Sequence, residues 1–260
     1  RTIGATPTTD VYSTPTSLSP DGQYVILRAG FGGQVSAVDA KSGAVVRNLS
    51  AAGVPLEETV WAQDGNIYFV SGAMIRRYVW ATSTAETVID YSAASWSFSS
   101  ITTGGAVGLS RDDWWGFEAR TQNRACIVDI HDAANRTYCH DFSTVTPVPS
   151  ATDSHQVAKG LSLADGCRYS VLAATPVAHV FKLCPGSSVL QWHGRGPELR
   201  SSNGNNDGIC DPGEWAANQC LTAPHMDTGQ DGDGRQLIVA GSDGGVDGCD
   251  HRLVGYNMAS

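Results

Sequence analysis

Charge is scarce in this chain. Only 17% of its 260 residues are Asp, Glu, Lys or Arg, and its lysines are Lys41, Lys159 and Lys182 alone. The formal net charge is -9 and no basic run occurs. That argues against nucleic acid and anionic membrane surfaces as partners, because both are held by clustered Lys and Arg. No apolar stretch is long enough to cross a bilayer, so membrane insertion is not expected. The Gly-x-Ser-x-Gly elbow, the His-Glu-x-x-His motif, a phosphate loop and a dinucleotide fingerprint are all missing. No Cys-x-x-Cys exists to suggest a zinc framework. The chain starts at Arg1 with neither Met nor a signal-like apolar segment, so we expect a leader to have been removed or to lie outside this sequence.

What the chain has in abundance is turn residues. It carries 29 Gly and many Ser and Thr against an ordinary 41% of hydrophobic residues, a composition that suits a β protein better than a helical one. Its length suffices for one large all-β unit or two small domains. Seven cysteines include three local pairs, Cys126 with Cys139, Cys167 with Cys184, and Cys210 with Cys220. Pairs at hairpin spacing fit disulfides in an oxidising compartment, hence a secreted, periplasmic or extracellular protein. The alternative is buried thiols in a cytosolic protein. Cys249 is left over, with a partner expected outside this sequence. Asn48-Leu-Ser50 and Asn135-Arg-Thr137 match the glycosylation acceptor pattern, a signal of low specificity.

The stretch Thr16 to Ser50 supplies a repeating unit. A turn at Ser19-Pro20-Asp21-Gly22 precedes an apolar run Tyr24 to Leu27, then Val35 to Val38, then Ala44 to Leu49. Short β-branched runs separated by Asp-Gly and Ser-Gly turns predict an antiparallel meander, since Gly and Asp accept the positive φ of tight hairpins. The Asp turn recurs at Asp64-Gly65, as Asp112-Asp113, at Asp165-Gly166 and at Asp233-Gly234. The first three intervals are roughly 43 to 53 residues, the period of four-stranded propeller blades. The last is longer by about one loop, which marks an insertion.

The spacing therefore predicts an all-β propeller with about five four-stranded repeats, near residues 16–50, 57–92, 96–143, 155–199 and 221–260, with an insertion at 201–220. The fifth repeat lacks its outermost strand. Two explanations fit: the N-terminal segment around Asp10 to Thr14 supplies it and closes the ring, or the chain is part of a larger six- to seven-bladed propeller.

The units Ser19-Pro-Asp-Gly22-Gln-Tyr-Val with Ala37-Val-Asp-Ala-Lys-Ser-Gly43, and Leu161-Ser-Leu-Ala-Asp-Gly166 with Tyr169, resemble the blades of secreted bacterial β-propellers of the YVTN and TolB-like type. The Gly-His and Trp-Asp markers of WD-repeat propellers are absent. The resemblance implies six or seven blades and a binding platform, lyase, hydrolase or assembly factor, which restricts the activity little.

The insertion has the most specific pattern. Set against an EF-hand loop, Asn203, Asn205 and Asp207 fall at positions 1, 3 and 5, Gly208 at the bend, Ile209 at the carbonyl position, Asp211 at position 9 and Glu214 at position 12. Alternating oxygen ligands of this kind wrap a calcium ion. Asn203 in place of the usual Asp removes one charge and predicts weak binding, about 10⁻⁴ to 10⁻³ M. The ion is expected to order the loop. A plain Asn-Gly turn cluster stapled by Cys210 and Cys220 is the competing reading.

His225 and Asp227 follow on the expected innermost strand of the fifth unit, two residues apart and so on one face. With His155, which precedes the corresponding strand of the fourth unit, they are the candidate catalytic residues; the plainer reading makes them satisfied ring and rim residues. Asp112 and Asp113 form a site with them only if all converge on one channel mouth. His179 and His193 are assigned to outer strands. Asp243, Asp247 and Asp250 read as a solvated Gly-rich loop. Trp61, Trp96, Trp114 and Trp115 are expected between blades, while Trp192 and Trp215 flank the insertion and offer stacking faces for sugars.

Three functions compete. The first is a secreted, calcium-stabilised binding or assembly module with a glycan or protein ligand. The second is an extracellular polysaccharide-processing lyase or hydrolase acting at the channel mouth. The third is a structural subunit whose unfinished blade is completed by an extracellular assembly partner.

Overall fold

The computed structural model describes residues 8–10, 18–29, 34–55, 58–93, 95–103, 109–110, 112–146, 148, 154–174, 177–198, 226–230, 232–234, 236–241 and 253–257. Five antiparallel meanders follow one another along the chain. The first sheet comprises β1 (Thr8–Asp10), β2 (Tyr24–Ala29), β3 (Val35–Asp39) and β4 (Val45–Asn48). The second comprises β5 (Thr59–Trp61), β6 (Ile67–Ser71), β7 (Met74–Val79) and β8 (Thr84–Asp90). The third contains β9 (Trp114–Ala119), β10 (Arg124–Asp129) and β11 (Thr137–Asp141), with bridges Thr102↔Glu118 and Leu109↔Trp115 on its inner side. The fourth contains β12 (Ser154–Leu161), β13 (Arg168–Ala174), β14 (Val177–Leu183) and β15 (Gln191–Glu198), and the fifth β16 (Met226–Gln230), β17 (Gln236–Gly241) and β18 (Leu253–Asn257). No α-helix occurs among the described residues.

The sheets stack in chain order as propeller blades do. Ile26, Val35 and Ala37 of the first meet Trp61, Phe69 and Tyr78 of the second in one apolar cluster. Tyr68, Ile75 and Tyr91 meet Trp115, Phe117 and Val128 in the next, and Ala125 and Ile127 meet Leu172 and Phe181 in the third. The second and third sheets thus bury both faces, which explains apolar runs without strict alternation in Ile67–Ser71. Trp61, Trp96, Trp115 and Trp114 fill the seams as their sequence positions imply.

One expectation needs correction. Thr8–Asp10 pairs with β2, Asp10 facing Leu27, so Asp10 belongs to the inner strand of the first sheet and does not complete the fifth, while residues 11–14 lie outside the described residues. The pairing partner decides this, and composition cannot: a three-residue polar strand suits either sheet.

Cys126 and Cys139 face each other directly on β10 and β11 and are disulfide-bonded, as are Cys167 and Cys184. Their sequence separations of 13 and 17 residues correspond to about 3 kcal/mol of stabilisation each in the chain-entropy account. Cys210, Cys220 and Cys249 lie outside the described residues.

Candidate functional site

A meander places its first and third connections at one end of the sheet and its second at the other. The Asp turns are all first connections, so they share one face of the propeller, the Asp-turn face. The starts of the inner strands lie on the opposite face.

In the first, second and fourth sheets the turn Asp binds its own backbone first. Asp21 accepts bonds from Ser19 Oγ at 2.6 Å and from the Gln23 amide at 3.0 Å, and the Ser19 bond holds its carboxyl below the ordinary value. In the second and fourth sheets the turn also captures a tyrosine four residues on. Tyr68 donates to Asp64 at 3.0 Å and Tyr169 to Asp165 at 2.7 Å. Opposite these tyrosines stand Arg77 and Lys182. Burial pushes the Tyr68 and Tyr169 phenols up. Burial also works against the Asp165 carboxylate, yet the Cys167 amide, Tyr169 and Lys182 outweigh it and hold that carboxyl far below its usual range.

The third turn departs from this pattern. Asp112 takes two bonds from Arg168 of the fourth sheet, at 3.0 and 2.6 Å, and one from Ser110 at 2.6 Å. Arg168 is 9% exposed and lies over the Trp114 ring at 4.2 Å. Burial raises the Asp112 carboxyl, but the Arg168 and Ser110 bonds prevail and it titrates below the ordinary value. Asp113 has φ 61, where Gly22, Gly65 and Gly166 occupy the other turns. It is 4% exposed. Its carboxylate accepts the Gln63 amide of the second sheet at 3.0 Å and lies 2.8 Å from His131 Nε2.

On the opposite face, Glu58 precedes β5 with φ 57. It accepts bonds from Thr102 Oγ1 and, at 2.9 Å, from the Thr103 amide. Thr102 is bridged to Glu118, a fully buried carboxylate joined to Arg120 Nε and Nη2 at 2.9 Å each. This acid-rich seam between the second and third sheets adjoins the inner-strand starts.

His155 is the second residue of β12 and pairs with Ala173; Asp227 is the second residue of β16 and pairs with Val239. Both stand at the opposite-face ends of neighbouring inner strands. Asp112 does not join them. Its partner Arg168 pairs with Leu161, six residues beyond His155 along β12, a separation of about 20 Å. The single-mouth arrangement of His155 with Asp112 and Asp113 is therefore overturned by strand direction. His225, Asn203, Asn205, Asp207, Ile209, Asp211, Glu214, Trp215, Asp243, Asp247 and Asp250 lie outside the described residues.

Among the described residues no group of three or more His, Cys, Asp and Glu side chains is placed to hold a metal. His179 is fully buried on β14 with its ring 6.2 Å from Trp192. His193 sits edge-on to Tyr169 at 5.7 Å, and desolvation lowers its imidazole. His131, Glu58, Glu118 and Arg120 escaped the sequence reading. Only Asp113 left a trace there, as the one turn with Asp in the Gly position.

No protein-family model and no curated protein matches the chain. Solved structures do. A structure described as a candidate gluconolactonase is similar with a TM-score of 0.52 at 10% identity, over 98% of this chain and 82% of that one. The periplasmic gluconolactonase PpgL of Pseudomonas aeruginosa gives a TM-score of 0.45 at 15% identity, over 86% of this chain and 61% of that one. TolB from Acinetobacter baumannii gives 0.37 at 11% identity, over 96% of this chain and 55% of that one. The chain thus spans less than two thirds of the length of the last two. At these identities the likeness shows the β-propeller fold and no activity.

Proposed function

We propose that this chain is a calcium-stabilised β-propeller of an oxidising extracellular or periplasmic compartment, acting as a binding or assembly module. The observation that carries the reading is the tie at every seam between consecutive sheets. Arg47 reaches Tyr78, Asp113 the Gln63 amide, Asp112 Arg168, and the Leu163 amide the Gly234 carbonyl. Such a frame holds loops rigidly enough to present a glycan or protein ligand without paying for reorganisation. The two hairpin disulfides support the compartment. The alternating oxygen ligands from Asn203 to Glu214 support calcium, which orders the insertion and adds stability by mass action. Titrating calcium into chelator-treated protein by calorimetry is the direct test; absent heat together with an unchanged melting temperature sinks the calcium reading.

One observation favours a second reading, a polysaccharide-processing enzyme: His155 and Asp227 occupy equivalent positions on neighbouring inner strands. Incubation with acidic glycans is then expected to yield an unsaturated product, lost in His155→Ala and His225→Ala. Product formation by both variants at the parent rate removes this reading.

A further inference from the structure

We infer that the Asp112-Asp113 turn is a coupling device that makes the second, third and fourth sheets yield as one unit. The two residues are adjacent in the chain, yet their carboxylates engage opposite neighbours. Asp112 grips Arg168 at the head of β13, and Asp113 grips the Gln63 amide in the turn of the second sheet. A single backbone frame sets both directions. Ser110 Oγ donates to Asp112 at 2.6 Å and accepts the Trp114 amide at 3.0 Å, while the Asp113 amide closes on the Ser110 carbonyl at 3.0 Å. The Asp113 carbonyl accepts the Ile130 amide at 3.3 Å, and its carboxylate meets His131, so the turn is also pinned to the far end of β10.

The turn is held in a conformation its residue does not favour. Asp113 has φ 61, and the matching positions are Gly22 at φ 71, Gly65 at φ 78, Gly166 at φ 69 and Gly234 at φ 77. A residue with a Cβ persists in the left-handed region when its surroundings over-determine it. Here the surroundings are the two seams together with Ser110, Ile130 and His131 of the same sheet. Releasing Arg168 removes the force that orients Asp112 and the Ser110 frame; Asp113 then relaxes, and its aim at Gln63 is lost. The tie between the fourth and fifth sheets is of another kind, a backbone bond from Leu163 to Gly234 at 3.0 Å, and stands outside this coupling.

The Gln63 amide reports the effect, because Asp113 accepts its hydrogen bond and Asp112 does not touch it. Amide hydrogen exchange of Asp112→Asn is expected to speed Gln63 by at least about fivefold under native conditions. Asp113→Gly restores the residue of the other turns, removing the carboxylate and its Cβ together and relieving the left-handed backbone. In the double variant the loss of folding equilibrium constant is expected to fall short of the product of the single losses by at least about fivefold. Both results are required. Exchange at Gln63 within about twofold of the parent in Asp112→Asn, or losses that simply multiply, overturns the inference. Arg168→Lys opens the same pair from the other side and reads the same amide if Asp112→Asn does not fold.

Discussion

Replacing Gly234 by Ala probes how the fourth and fifth sheets meet. Gly234 has φ 77, and a Cβ built there lies 2.9 Å from Leu163 Cβ and 3.6 Å from Leu163 Cγ and Cδ1. The nearest atom is tied to the backbone, so it cannot swing aside as a side-chain tip does. The Leu163 amide is in turn bonded to the Gly234 carbonyl, which keeps the two segments from separating. The left-handed backbone costs Ala about 1–2 kcal/mol, and overpacking adds about 1–3 kcal/mol, giving roughly 2–5 kcal/mol in all. Two controls divide the cost. Gly65 has φ 78 with nothing within 4 Å of its Cβ position, so Gly65→Ala carries the backbone penalty alone, about 1–2 kcal/mol. Gly232 has open space and no left-handed φ, so Gly232→Ala stays within about 0.5 kcal/mol of the parent. Urea unfolding followed by tryptophan fluorescence measures all three. In Leu163→Gly/Gly234→Ala the steric part is relieved relative to Gly234→Ala, once the separately measured cost of Leu163→Gly is subtracted. Equal losses for Gly234→Ala and Gly65→Ala refute the described contact.

Other outcomes follow from the same geometry. The Ser42 amide and hydroxyl hold Asp39 below its ordinary value, and the Ser143 hydroxyl does the same for Asp141. A depressed folded-state value contributes stability above the unfolded one, so the contribution of these two carboxylates is expected to hold from neutral pH to about 4 and to be lost as pH drops further; a melting-temperature difference between the parent and Asp39→Asn/Asp141→Asn that stays the same from neutral pH down to about 2.5 contradicts this. Replacing Cys126 and Cys139 together by Ser is expected to cost about 3 kcal/mol, checked by urea unfolding beside the same pair of changes at Cys167 and Cys184. Tyr91→Phe removes a 3.0 Å bond between the fully buried Tyr91 and Thr137 across the second and third sheets, at about 1 kcal/mol by thermal melt.

The blade pattern was legible because it is local. Asp-Gly and Ser-Gly turns followed by β-branched runs specify hairpins within a few residues, and β2, β3 and β4 fall where the runs Tyr24 to Leu27, Val35 to Val38 and Ala44 to Leu49 do. Hairpin cysteines were legible for the same reason, since a tight meander brings Cys126 against Cys139 without help from distant chain. The inter-sheet ties were not. Asp112 and Arg168 are 56 residues apart, and nothing in either neighbourhood announces the pairing. Glu118 sits in an apolar strand as a charged exception, but its link to Arg120 and the Thr102 bridge beside it depend on how the sheets stack.

The sequence alone determined the repeat, the antiparallel meanders, the two hairpin disulfides and the all-β propeller, because each follows from turn chemistry and the blade-length spacing of short strands. Tertiary structure decided that Thr8–Asp10 belongs to the first sheet, that Asp112 lies a sheet length from His155, and that consecutive acids at 112 and 113 serve opposite seams. Those outcomes turn on which faces meet and which way each strand runs. They are set by burial and electrostatic pairing summed over contacts tens of residues apart, a sum that no local stretch contains.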